Sequence, residues 1–188
     1  FALRGPSAEA YAGVSVAIAP DLDGDGLDDV LVGAIGANAV YVVLGPVTAD
    51  LDLAAADTTL TQPDGSFGNT VAGLGDMSGD GYGDLAAGDK EATRSGQQVS
   101  TLYLYDGAPR GVDAGSEVQL SGERGASAGY ESNAIEGVGD MDGDGFADLI
   151  AGGTYVDDGG TDAGEVTLVF GPVLGEADVS TFTRLAGS

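Results

Sequence analysis

The stretch Asp21-Leu22-Asp23-Gly24-Asp25-Gly26-Leu27-Asp28-Asp29 decides how this chain is read. It recurs as Asp76-Met77-Ser78-Gly79-Asp80-Gly81-Tyr82-Gly83-Asp84, and again as Asp140-Met141-Asp142-Gly143-Asp144-Gly145-Phe146-Ala147-Asp148. Each copy sets oxygen-bearing side chains at positions 1, 3, 5 and 9 and a glycine at position 6. A hard divalent cation takes six to eight oxygens at about 2.3–2.6 Å, and alternate residues of a tight loop can point at one centre. The glycine permits the sharp turn that a Cβ would penalise. The expected metal ligands are Asp21, Asp23, Asp25 and Asp29 in the first loop and Asp76, Ser78, Asp80 and Asp84 in the second. Asp140, Asp142, Asp144 and Asp148 follow in the third, and the main-chain carbonyls of Leu27, Tyr82 and Phe146 add one oxygen per loop at position 7.

A single loop of this kind would pass as an ordinary Asp/Gly turn. Three copies with one internal spacing point instead to three Ca²⁺ sites. They are not EF-hands, which need a bidentate Glu at position 12. Here position 12 is Val32, Ala87 and Ala151, and a strand is expected to follow at once. Ser78 removes one carboxylate, so the second site is expected to bind more weakly than the other two.

The 188 residues suffice for one sizeable domain with a core. Hydrophobic residues make up 43%, which separates the chain from disordered sequences. Net charge is −25, with 6 Lys+Arg against 31 Asp+Glu. Phosphate binding needs a basic patch, so nucleic acid is not an expected partner. Anionic membrane surfaces are disfavoured for the same reason. Three calcium ions would offset only six of the net negative charges, so most of the acidity is read as a solvated surface suited to a salty or extracellular medium. The absence of cysteine removes disulfides and thiolate chemistry, a role that metal can take over as the staple. No apolar run is long enough to span a bilayer. The opening Phe1-Ala2-Leu3-Arg4-Gly5 does not read as a signal peptide but as the middle of a repeat, so the chain is expected to be a piece of something longer.

The loops begin at residues 21, 76 and 140, which gives periods of 55 and 64 residues. Each period is expected to hold four short strands. The first is residues 14–19, 70–74 and 133–138, ending at a loop. The second leaves the loop at 29–33, 84–88 and 148–152. The third, rich in β-branched and aromatic residues, is 40–44, 101–105 and 166–170. The fourth is centred on Leu60, Leu120 and Leu185. Helix is scarce, with residues 51–56 expected to form at most a single turn. Four antiparallel strands at such a period define an all-β propeller blade. The expected blades are 13–62, 69–122 and 131–187, with residues 1–5 as the orphan outer strand of a neighbouring blade. A blade buries both faces and propellers close with about four to eight of them. Further blades, from the same longer chain or from another subunit, are therefore expected partners. Pairing of the orphan strand with the third blade in a compact monomer would argue against that.

Phe67-Gly68 ahead of Gly75-Asp76-Met77-Ser78-Gly79-Asp80-Gly81-Tyr82-Gly83-Asp84-Leu85-Ala86-Ala87-Gly88 resembles the FG-GAP repeat of integrin α-chain β-propellers. Residues 21–34, ending Val32-Gly33-Ala34, and residues 139–152 resemble it too. The resemblance implies a seven-bladed propeller, calcium in the hairpin between strands one and two, and a role in adhesion or ligand binding. The chain departs from the pattern where Tyr11-Ala12 and Ala128-Gly129 replace Phe-Gly, and where Gly33-Ala34, Gly88-Asp89 and Gly152-Gly153 shorten Gly-Ala-Pro.

Three functional readings compete. In the first, calcium is structural and the chain is an extracellular, secreted or surface-bound adhesion module that takes a protein or glycan ligand. Ligand contacts are then expected on the loops opposite the calcium edge, with Lys90 and Arg94 in residues 89–98 and Tyr155, Asp157, Asp158 and Asp162 in residues 153–164. In the second, free strand edges at both ends make a calcium-stapled subunit of a surface assembly or fibre. In the third, the chain is a carbohydrate-active enzyme. Without histidine the usual general base is missing, and the clustered carboxylates have a better use on calcium, so no catalytic residue is assigned.

Overall fold

The computed structural model of the chain describes residues 1–63, 65–94, 97–98, 100–121, 134–153, 164–173, 177–178 and 183–186. Three sheets organise them. The first runs Ala12–Pro20, Asp28–Ala34, Ala39–Val43 and Thr58–Thr61, each strand antiparallel to the next. The second repeats the order with Thr70–Gly75, Asp84–Asp89, Thr101–Tyr105 and Val118–Ser121. The third does so with Ile135–Gly139, Asp148–Gly153, Glu165–Val169 and Thr183–Ala186. The chain is thus an all-β protein of propeller blades, each a four-stranded antiparallel meander.

Strand composition follows from two-sided burial. Ala39–Val43 and Thr101–Tyr105 are buried at every position, as is Asp84–Asp89. They read as continuous apolar or small-residue runs because a blade has no solvent face along its middle strands. Between blades one and two, Leu31, Val40, Val42 and Leu60 meet Phe67, Val71, Leu85 and Tyr103 in one core. Between blades two and three, Ala72, Leu74, Leu102 and Leu120 meet Ile135, Leu149 and Val169 in another. The inner strands come closest. A Cβ on Gly73 would collide with the Ile18 carbonyl and Ala19, and one on Gly137 with the Gly73 carbonyl and Leu74. Glycine at this one position lets neighbouring inner strands approach backbone to backbone.

Several features were not readable beforehand. Ala177–Asp178 joins the second sheet as a fifth strand, parallel to Val118–Ser121, with Leu120 opposite Ala177. Likewise Leu3–Arg4 pairs in parallel with Leu51–Asp52. In both places the connection between strands three and four of one blade lays a short strand on a strand that comes earlier in the chain. Leu3–Arg4 therefore stands to the first blade as Val118–Ser121 stands to the third. Among the described residues it does not join the third sheet. The expected helical turn at 51–56 splits into that strand and a 3₁₀ turn, Leu53–Ala55, whose Ala54 amide donates to the Asp52 carboxylate at 2.9 Å. Two small hairpins are also new, Thr93–Arg94 with Gln97–Gln98 and Gly107–Ala108 with Gly111–Val112.

Candidate metal loops

All three aspartate-rich stretches sit at the turn between strands one and two of their blades. Position 1 nucleates the turn. Asp21 Oδ1 accepts from the Gly26 amide at 2.9 Å, Asp76 Oδ2 from Gly81 at 3.0 Å and Asp140 Oδ2 from Gly145 at 3.0 Å. Position 5 tightens it by accepting from the amide at position 7: Asp25 from Leu27 at 2.8 Å, Asp80 from Tyr82 at 2.9 Å and Asp144 from Phe146 at 2.9 Å. The glycines at positions 4 and 6 all have positive φ, from +79° at Gly24 to +98° at Gly145, where an L side chain is strained.

Position 9 behaves differently from the rest. Asp29, Asp84 and Asp148 are 1–2% exposed and act as clasps. Each accepts from the amide at position 2 with one oxygen, at 2.8, 2.8 and 2.7 Å. The other oxygen accepts from the glycine that follows strand three, Gly45, Gly107 or Gly171, at 2.9, 2.9 and 3.0 Å. Asp84 also takes the Ser78 amide at 2.8 Å. Burial raises the Asp29 carboxyl above its ordinary pKa against two opposing amide bonds. It pushes Asp84 up to about 6. Asp106 is raised as well, first by burial and then by the facing charges of Asp80, Asp113 and Asp76.

Carboxylate oxygens of Asp21, Asp23 and Asp25 lie within 4.8 Å of one another, as do those of Asp140, Asp142 and Asp148. Oxygens around one calcium ion are at most about 5 Å apart, so both trios fit that ion. Asp29 stays outside the first trio and Asp144 outside the third. The carboxylates of the second loop form no such trio, and its Ser78 hydroxyl is buried without a hydrogen-bond partner. Among the described residues the only ion pair is Arg4–Asp50, so no cation neutralises the loops.

The loops are also chained to one another. The Gly83 amide, at position 8 of the second loop, donates to the Asp21 carbonyl of the first at 3.0 Å. Ala147 in the third donates to Asp76 in the second at 2.9 Å. The Tyr82 ring covers Gly24, where a Cβ would come within 2.7 Å of it, and the Phe146 ring covers Gly79 in the same way. In sequence this signal is no more than an aromatic at position 7 of the second and third loops.

A protein-family model of the FG-GAP repeat matches residues 133–169. Integrin alpha-5 of Xenopus laevis is 33% identical over 174 residues, covering 84% of this chain and 16% of that protein. Integrin alpha-PS2 of Drosophila melanogaster is 34% identical over 170 residues, covering 81% and 12%. Integrin alpha-V of Gallus gallus is 31% identical over 173 residues, covering 84% and 16%. The chain is built of FG-GAP repeats of the integrin α-chain type. It spans about one sixth of the length of the relatives it matches.

The Phe-Gly of the FG-GAP repeat has a packing role here. Phe67 is fully buried between blades one and two, edge-on to Tyr103 at 5.3 Å and to Tyr105 at 6.5 Å. Gly68 donates to the Gly88 carbonyl at 3.0 Å and accepts the Ser15 hydroxyl at 2.8 Å, tying the two blades. On the rim opposite the loops, Lys90 is exposed and its carbonyl accepts from Ser100 Oγ at 3.3 Å. Arg94 lies in the Thr93–Arg94 hairpin strand. Tyr155, Asp157, Asp158 and Asp162 lie outside the described residues. Sequence reasoning passed over Asp89 on that rim. It is 1% exposed, and its Oδ1 accepts from the Ser66 amide at 2.7 Å and the Glu91 amide at 2.9 Å.

Proposed function

We propose that this chain is a segment of an extracellular FG-GAP adhesion propeller whose three loops each hold a structural Ca²⁺. The observation that carries the proposal is the pair of carboxylate trios, Asp21/Asp23/Asp25 and Asp140/Asp142/Asp148, at equivalent turns that form no ion pair among the described residues. Like charges held this close are unfavourable until an ion arrives, so metal binding would add to the stability of the folded chain. The proposed ligands are those of positions 1, 3, 5 and 9 with the carbonyls of Leu27, Tyr82 and Phe146. The buried position-9 carboxylates have lone pairs beyond those their amides occupy. Calcium here stiffens the turn; catalysis is no part of the reading, and no residue is assigned to it.

We further propose that other blades cover the first one. Val16 is 67% exposed, whereas its counterparts Val71 and Ile135 are 6% exposed beneath the preceding blade. Val14 and Ile18 continue the uncovered stripe at 47% and 63%. The adhesive ligand, protein or glycan, is assigned to the rim of Lys90 and Arg94, opposite the loops. The similarity to integrin α chains supports a place outside the cell, where millimolar calcium would saturate even weak loops. Among the described residues no helix is long and apolar enough to cross a membrane. Equilibrium dialysis against ⁴⁵Ca²⁺ tests the reading. Two to three ions bound per chain at millimolar free calcium is the expected result, and none bound would refute it.

A further inference from the structure

The first and third loops carry aspartate at positions 1, 3, 5 and 9 alike, so ligand count does not distinguish them. Their seating does. The Asp21 carbonyl accepts from the Gly83 amide and the Leu22 carbonyl from the Ala108 amide, each at 3.0 Å, and both donors belong to blade two. The Tyr82 ring of the same blade lies over Gly24, between Asp23 and Asp25. The third loop has no such cover among the described residues. A Cβ on Gly143 would meet nothing within 4 Å, and Met141 is 56% exposed where Leu22 and Met77 are 0% and 3%.

The carboxylates follow that division. The seated loop gathers those of positions 1, 3 and 5 within 4.8 Å, whereas the open one leaves Asp144 of position 5 outside. Asp21 and Asp23 are half-buried, and Asp140 and Asp142 are exposed. Gly24 has a φ of +79° and no Cβ, so it is the joint about which Asp23 and Asp25 can swing apart. A ring resting on that joint holds the two side chains ready for an ion. A loop already ordered then loses less conformational freedom when the ion binds.

We propose that Tyr82 is a positioning residue for the divalent cation of the first loop, and that each metal loop is completed by the blade that follows it. Phe146 over Gly79, with the Ala147 amide on the Asp76 carbonyl, repeats the arrangement one blade on. The contact on Gly24 is made by ring carbons of Tyr82, so the hydroxyl is not needed, and Phe146 does without one. The third loop, open in this chain, is then the weaker partner of the first despite its equal charge. Coupling between sites is reciprocal, so an ion in the first loop in turn tightens blade two against it. The inference rests on the calcium reading of the loops above.

Titration of the ¹⁵N-labelled 188-residue chain with CaCl₂ against a competing chelator tests it, because the Gly26 and Gly145 amides report the first and third loops separately. In the wild type the first loop is expected to bind about tenfold tighter than the third. Tyr82→Ala is expected to weaken the first loop by about tenfold, the scale of losses around a metal's ligands, and to spare the third. Tyr82→Phe is expected to keep the wild-type affinity at both. Equal affinities of the two loops in the wild type would overturn the inference, whether or not Tyr82→Ala folds. An unchanged first loop in a folded Tyr82→Ala chain would overturn it too, and so would an equal loss at both loops, since the ring would then serve the fold alone; each leaves the calcium reading standing. A wild-type chain in which neither amide responds to calcium would overturn the loop reading itself, and this inference with it.

Discussion

The aspartates of one loop are not equivalent, and the difference is burial. Asp84 is 2% exposed and holds three amides, whereas Asp25 is exposed and holds one. In chelator, Asp84→Ala is expected to cost about 2–4 kcal/mol in urea unfolding, because it leaves buried amides without an acceptor. Asp25→Ala is expected to change chelated stability by less than about 0.5 kcal/mol while weakening calcium binding. The raised carboxyls set a pH dependence. Asp84 titrates near 3.8 unfolded and about 6 folded, and Asp29 and Asp106 shift the same way. Between those values the folded chain binds more protons than the unfolded one, so stability falls as pH rises. The chelated chain is expected to melt higher at about pH 4.5 than at about pH 7. Saturating calcium should reverse that order, because the ion needs ionised carboxylates. The aspartate turns were legible in sequence from spacing alone. That position 9 is a buried clasp was not, since its second partner, Gly45, Gly107 or Gly171, comes from the far end of strand three.

At the scale of the element, the inner strands carry the closest packing. Gly73, Gly137 and Ile18 occupy the same register, opposite Leu85, Leu149 and Val30. The two glycines sit against the backbone of the preceding blade, while Ile18 is 63% exposed. Gly73→Ile is therefore expected to cost several kcal/mol or abolish folding, since backbone atoms occupy the space. Ile18→Ser is expected to leave the stability of this chain within about 0.5 kcal/mol. Guanidinium unfolding of the two variants checks both; equal costs would mean that the inner strands are not in register as described. The four-strand meander was legible because β-branched runs alternate with Gly- and Asp-rich turns. The added parallel strands, Leu51–Asp52 and Ala177–Asp178, were not. Their two-residue pairings rest on a neighbouring blade's edge, which local pattern does not contain.

Across the whole molecule, charge opposes compaction, and the calcium ions proposed for the loops would answer it locally. Net charge is −25, so the chelated chain is expected to gain stability as NaCl screens its self-repulsion. Calcium should add to that at matched ionic strength, by about 2.7 kcal/mol per site at a hundredfold excess over Kd. Melting curves in NaCl, MgCl₂ and CaCl₂ of equal ionic strength measure the difference; identical midpoints would mean that the loops screen charge without binding an ion. By itself the sequence determined the repeat, the four strands of each blade and the three aspartate turns, because these depend on residue spacing within about ten positions. Tertiary structure alone decided how blades meet, through Gly73, Gly137 and Phe67, and how each turn rests on the next, through Tyr82 on Gly24 and Phe146 on Gly79. Those contacts join residues more than thirty positions apart, and only the tertiary packing of the strands puts them within reach.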